Sequence, residues 1–239
     1  MTRLRLAVAM AAVLAAQSCA GTAGPETPTA DAEPRHTTAP VSPPTSEAPL
    51  AEPQVEPAGP AVSQGRPRRA VLRIPSIDVR VAVVPYVGWT DDAPGSDIQD
   101  RGLAASPHGP RGGVGPGGIG NYQVTAHRTS STRAFELLPG VRRGDRVLVD
   151  VRGAGGAVTR YVYLVTGTRE TSFRSPASLR AQRAPVPGRP GVTPTKAMIT
   201  LSTCATPEDH AEGNYWADEF DNPEHRIDKI GVLVAVRQR

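Results

Sequence analysis

Apolar and polar residues alternate with a period of two at the start of the folded region. Ile77, Val79, Val81 and Val83 are separated by Asp78, Arg80 and Ala82. Successive side chains of a strand point to opposite faces, so the pattern predicts a strand with one buried face. Short runs rich in Val, Ile, Thr and Tyr predict further strands over residues 70–74, 121–126, 146–151, 159–166, 196–203 and 227–236. One short helix is predicted, over residues 133–138, stopped by Pro139-Gly140. At least seven strands with turn residues between them predict an all-β fold: a closed barrel of about eight strands with one or two short helices.

The first 68 residues break this pattern. Arg3 and Arg5 precede an apolar run over residues 6–16. Eleven residues at ~1.5 Å each span ~17 Å of helix, well short of a ~30 Å bilayer core, which favours an export signal over a spanning helix. Ala16-Gln17-Ser18-Cys19 resembles a lipoprotein processing site, with Ala where Leu is usual. Lipidation at Cys19, plain cleavage and retention as an anchor all remain open. Residues 21–68 hold eleven prolines among Ala, Thr, Ser and Glu, with almost no large apolar side chains. Such a segment buries too little surface to offset the entropy of ordering. As polyproline II it reaches at most ~150 Å, the length of a tether. The expected organisation is a signal peptide or lipoprotein-type anchor over 1–19, a disordered Pro-rich linker over 20–68, and one β-barrel domain over 69–239.

Charge changes this picture little. The formal net charge is +4, and Arg is spread along the chain without a nucleic-acid-binding motif, so no nucleic-acid partner is expected. Gly113-Val114-Gly115-Pro116-Gly117-Gly118 fits G-x-G-x-x-G in form only, because a strand and not a helix follows it. The acids lack calcium-loop spacing. No cofactor and no metal are expected. Two connections are long. Residues 171–195 carry Arg174, Arg180, Arg183, Arg189 and five prolines. Residues 205–225 carry Glu208, Asp209, Glu212, Asp218, Glu219, Asp221 and Glu224 and no Lys or Arg. The second connection is either a solvated loop or a set of acids that attracts an ammonium group.

The chain has two cysteines, Cys19 and Cys204. The first lies in the processing segment, so no disulfide is expected. Cys204 ends a strand-like run, where a substrate reaches a rigidly held side chain, although an inert buried thiol fits the residue type equally. A thiol needs a proton acceptor or a charged partner to be nucleophilic at neutral pH. His127, at the end of another strand, has a modest edge over His36, His108, His210 and His225. Arg226 opens the last strand, and its forked guanidinium suits a developing oxyanion. Unperturbed pKa values of ~8.5 and ~6.5 leave only about 1% of molecules as thiolate with imidazolium at pH 7.

Thr200-Leu201-Ser202-Thr203-Cys204 resembles the sortase nucleophile motif, Thr-Leu-X-Thr-Cys. Thr125-Ala126-His127-Arg128-Thr129 resembles the sortase histidine motif, which usually has Gly where Ala126 stands. His225-Arg226-Ile227-Asp228-Lys229-Ile230-Gly231 matches the position of the sortase arginine and final strand. The order His, Cys, Arg agrees, the likeness covers roughly residues 70–239, and the nearest subgroup looks like the class E sortases of high-GC Gram-positive bacteria. The resemblance implies a sortase-type barrel with catalytic His127, Cys204 and Arg226 converging at one mouth. It implies a cysteine transpeptidase that cuts a Leu-Ala/Pro-X-Thr-Gly sorting signal between Thr and Gly and passes the acyl group to an amine of a peptidoglycan precursor or a pilin. It also implies that the basic connection before the Cys strand helps form the signal-binding groove. The expected location is the outer face of the cell membrane or the cell wall, held by the N-terminal anchor. A thiol hydrolase using the same trio and a non-catalytic wall-binding lipoprotein are the alternatives. The motifs show no carboxylate that orients the imidazole.

Overall fold

The computed structural model describes residues 63–239. The expected export signal, Cys19, His36 and nearly all of the Pro-rich linker lie outside the described residues. Eight strands form the domain: β1 (Ala70–Ile74), β2 (Val79–Val87), β3 (Ala104–His108), β4 (Gly120–Thr125), β5 (Arg146–Arg152), β6 (Val158–Ser172), β7 (Ala197–Cys204) and β8 (His225–Gln238). They close into a barrel in the order β1-β2-β3-β4-β7-β8-β6-β5. The all-β barrel expected from the alternation is therefore present. Two neighbouring pairs run parallel, β2 with β3 and β4 with β7, and the other pairs are antiparallel. The core is filled by inward side chains such as Leu72, Tyr122, Val149, Tyr163, Ile199 and Leu201, all buried to 1% exposure or less.

Among the described residues three short α-helices are present, and none covers residues 133–138. That stretch is a series of turns ending in a 3-10 helix, Leu138–Gly140. Arg133 adopts a left-handed φ of 54°, which stops α-helix from starting there. The helices are α1 (Ala93–Asp100), α2 (Pro176–Arg183) and α3 (Thr206–Ala211). Asp92 caps α1 by accepting from the Gly95 N–H, and Ser175 caps α2 by accepting from Ser178. Each helix has Pro in its first turn, where the missing N–H has no intrahelical partner to lose.

The barrel's outer wall over β4, β7 and β8 is polar and covered. Helix α2 docks on it through hydrogen bonds rather than apolar packing. Asn121 Nδ2 donates to the carbonyls of Gln182 (3.0 Å) and Ala184 (3.1 Å). Gln182 Nε2 donates to Asp228 (2.9 Å) and Ser202 (3.2 Å). Thr171 adds a 2.6 Å hydrogen bond to Asp228, whose carboxyl is pushed up by its burial. Nearer the other end of the wall the Gly-rich stretch is a close-packing device. A side chain on Gly117, at φ 75°, strikes the ring of Tyr161, and one on Gly115 strikes the Arg66 carbonyl.

Tyr163 Oη accepts from the buried Gly117 N–H at 2.7 Å. Tyr163→Phe leaves that donor unpaired, so we expect a loss of about 1–3 kcal/mol in urea unfolding with the alkylation rate of Cys204 in the folded protein unchanged.

Candidate active site

Cys204 is the last residue of β7 and faces Arg226 directly in the β7–β8 register. Ile199 and Leu201 point into the core, so by the strand period Thr200, Ser202 and Cys204 point outward. The same reasoning places Arg226 and Asp228 on the outer face. The thiol and the guanidinium thus meet on the outside of the wall at the strand ends, not within the barrel interior. Parallel pairing of β4 with β7 brings Thr125 beside Ser202, and the chain carries His127 past that edge. Thr203 Oγ1 donates to the Ala126 carbonyl at 2.8 Å, and Phe135 N–H donates to the His127 carbonyl at 3.0 Å. The Ala126 methyl lies in the barrel core, so alanine in the place of the usual glycine fills space there and does not crowd the imidazole.

Both partners reach the sulfur. Arg226 Nη1 donates to Cys204 Sγ, and the His127 side chain lies close enough to the thiol to favour its ionisation. Cys204 is half-buried and free. Burial opposes its ionisation, but the charge of Arg226 and the nearness of His127 outweigh burial, and the thiol pKa falls. The nearness of Cys204 acts in the opposite sense on His127: it raises the imidazole pKa against burial, with Asp100 adding to the rise. Both shifts enlarge the thiolate–imidazolium population beyond the unperturbed figure.

Arg226 is only 2% exposed. Its Nη2 donates to Asn222 Oδ1 at 2.6 Å and pairs with Asp91 Oδ2 at 3.0 Å. The Phe173 ring lies 4.6 Å from the guanidinium carbon, and Nε finds no acceptor among the described residues. His127 Nε2 contacts Asp100 Oδ1 at 2.8 Å, so the imidazole does have a carboxylate partner. Asp91, Asp100, Asn222 and Phe173 were not singled out by the motifs. Asp92-Ala93-Pro94, a capping residue followed by proline, was the one local signal that a helix begins beside them.

The other histidines lie elsewhere. His210 stacks on Tyr215 at 4.7 Å, His225 Nδ1 meets Asp209 at 2.6 Å, and His108 ends β3. The acidic connection is largely used within the domain. Glu208 pairs with Arg128, Asp209 with His225, Asp218 with Asn222, and Glu224 with Arg174 and Asn214. Four of its seven acids are therefore committed to holding α3 and β8, which weakens the idea of a loop that attracts ammonium. The basic connection forms one side of a cleft of about 570 Å³ lined by Arg111, Leu179, Arg180, Arg183 and Pro185. Among the described residues no His/Cys/Asp/Glu group suited to a metal is found, and no helix is long and apolar enough to cross a membrane.

Comparison with known proteins places this geometry. The family described as Sortase domain matches residues 72–217. SrtA sortase from Actinomyces oris aligns at 20% identity over 78% of this chain and 90% of its own, with a TM-score of 0.52. Sortase E1 from Streptomyces coelicolor, solved with a tripeptide in the active site, aligns at 22% identity over 75% and 94%, also with a TM-score of 0.52. SrtF sortase from Corynebacterium diphtheriae gives 16% identity, 77% and 94% coverage and a TM-score of 0.50. At these identities the likeness is one of fold. A search of curated protein sequences gave no match.

The electrostatics give a direct expectation. Alkylation of Cys204 by iodoacetamide, followed against pH, inflects below the ordinary thiol value of ~8.5. Arg226→Gln removes the largest attraction for the thiolate and His127→Ala removes a neighbour that favours it, so each variant moves the inflection upward. A wild-type inflection at or above ~8.5 contradicts the arrangement.

Proposed function

The chain belongs to the sortase family, and from that premise we propose that it is a cysteine transpeptidase in which Cys204 is the nucleophile, His127 the acid and base, and Arg226 the oxyanion donor. The observation that carries this reading is the convergence of His127 and Arg226 on one half-buried sulfur, with Arg226 donating to it and both side chains favouring the thiolate.

In this reaction the thiolate attacks the carbonyl carbon of the peptide bond after Thr in a Leu-Ala/Pro-X-Thr-Gly signal. A C–S bond forms, and the carbonyl π electrons move to oxygen. Arg226 meets that oxygen with a charge already fixed by Asp91 and Asn222, so little reorganisation is needed as the negative charge passes from sulfur to oxygen. His127 gives its proton to the departing glycine amine, the C–N bond breaks, and a thioester remains on Cys204. An incoming amine attacks the thioester and surrenders a proton to His127. The new amide forms, and the thiolate–imidazolium pair returns. Asp100 keeps the ring oriented, though its side chain is 66% exposed and its electrostatic help is correspondingly screened. The cleft beside α2, bounded by Arg111, Arg180 and Arg183, is the place we assign to the signal peptide, as the family resemblance implies for the basic connection.

The family resemblance further supports an exported protein at the outer face of the cell membrane, attached through its N-terminal segment, with an amine of a peptidoglycan precursor or a pilin as acceptor.

Mass spectrometry of the protein mixed with Leu-Ala-X-Thr-Gly and Leu-Pro-X-Thr-Gly peptides tests the proposal. An adduct with the mass of the Leu-through-Thr acyl group on Cys204, discharged faster by an added amine than by water, is the expected result. Cys204→Ala forms none, and Arg226→Lys lowers kcat by about 100-fold or more, the scale of losing an oxyanion donor. Discharge to water at a rate that no amine alters identifies a hydrolase instead.

A further inference from the structure

The segment between β2 and β3 touches both partners of the thiol. Asp91, near its start, pairs through Oδ2 with Arg226. Asp100, the last residue of α1, meets His127 Nε2. Between these ends the segment is braced on itself. Gln99, buried to 4% exposure, donates through Nε2 to Asp91 Oδ1 at 3.0 Å and sits 3.3 Å from the Gly95 carbonyl. Asp92 accepts from the backbone of both Trp89 and Gly95, each at 3.0 Å. Tyr86 Oη donates to the Trp89 carbonyl at 2.6 Å. Asp91 holds a left-handed φ of 58° although it is not glycine. That conformation is unfavourable for a residue with a side chain and persists only where the surroundings fix it.

We propose that residues 89–100 act as one positioning clamp that sets Arg226 and His127 on Cys204 together, with Gln99 as its pivot. The inference rests on the catalytic reading of these three residues and adds that a single element orients two of them. Gln99 touches neither the sulfur nor a substrate, so it is a positioning residue. Its action follows from the geometry of one carboxylate. Asp91 Oδ1 is turned toward the Gln99 amide, and Oδ2 faces the guanidinium. Without the Gln99 amide the carboxylate is free to rotate and to present Oδ1 to Arg226 as well. A two-oxygen grip on the guanidinium draws Nη1 away from the sulfur.

The charge of Asp91 by itself disfavours the Cys204 thiolate, so removing Asp91 mixes a charge effect with a positional one. Gln99→Met avoids this confusion because it keeps both the charge and the approximate side-chain volume. Gly95→Ala moves the element by another route: a methyl there strikes the Tyr86 hydroxyl and ring, which pushes α1 as a body without altering any side chain that meets Arg226 or His127. Asp97→Ala, on the exposed side of α1, is the control.

Alongside the kinetics of peptide acylation, the experiment measures three quantities in full-length protein: the alkylation inflection of Cys204, the imidazole titration of His127 by NMR, and the melting temperature. Gln99→Met is expected to raise the Cys204 inflection and to lower kcat for peptide acylation by about tenfold with KM within twofold. Gly95→Ala is expected to raise the Cys204 inflection and to lower the His127 pKa modestly, since Asp100 is drawn off the ring. Asp97→Ala leaves all three unchanged. A lower melting temperature with both titrations unmoved in Gln99→Met and Gly95→Ala overturns the clamp, and so does a Gly95→Ala variant in which only one of the two titrations moves. The alkylation and NMR readings need no sorting peptide. A wild-type protein that forms no acyl adduct therefore counts against the transpeptidase reading and leaves the clamp to be judged by these titrations.

Discussion

A guanidinium that cannot lose its proton is buried on the outer wall of the barrel, and the groups around it answer that charge. Burying an unpaired ion costs several kcal/mol even after relaxation, so Arg226 requires negative or strongly polar neighbours. It finds a fixed carboxylate in Asp91, an amide oxygen in Asn222, an aromatic face in Phe173 and a sulfur in Cys204. Among these neighbours the thiol is the one whose pKa the guanidinium lowers, against the burial that raises it. The buried cation thus favours the thiolate form of Cys204, and His127 stands beside it as the partner that would hold the proton. In the proposed reaction the negative charge then moves from sulfur to carbonyl oxygen without leaving the neighbourhood of the guanidinium.

Barrel topology makes this meeting possible. The parallel β4–β7 pairing and the antiparallel β7–β8 pairing bring three sequence-distant strand ends together. The wall that carries them is polar over most of its length, with Asn121, Thr200, Ser202 and Asp228 facing outward, and α2 covers it with hydrogen bonds. A covered polar wall gives the site a rigid floor, because each of these buried groups loses 1–3 kcal/mol if its partner moves away. The rigidity lies in the floor and in α1, while the thiol itself stays half open to solvent.

The barrel was largely legible in the sequence, because seven strands announce themselves by alternation or by β-branched runs, and β1 was read to the residue. Strand β3 was not legible. Ala104-Ala105-Ser106-Pro107-His108 has little intrinsic strand preference and is held by its parallel register with β2. Strand β6 runs past its expected end and β8 begins before its expected start because the residues there, such as Thr171 and Arg226, face a polar layer that breaks the apolar pattern. The helices were marked only by caps and first-turn prolines, signals that residues 133–138 lack. Cys204, His127 and Arg226 stood out through motif resemblance. Asp91, Gln99 and Asp100 did not, since their residue types are common and their partners are distant along the chain.

The account rests on Arg226 being held for the oxygen that develops beside Cys204. A crystal structure of the protein with a Leu-Ala-X-threoninal peptide aldehyde bound as its hemithioacetal tests this directly. The expected result places the tetrahedral oxygen about 2.7–3.1 Å from a guanidinium nitrogen of Arg226, with His127 on the other side of the sulfur. An oxygen that points away from Arg226, with the guanidinium still engaged only by Asp91 and Asn222, contradicts it.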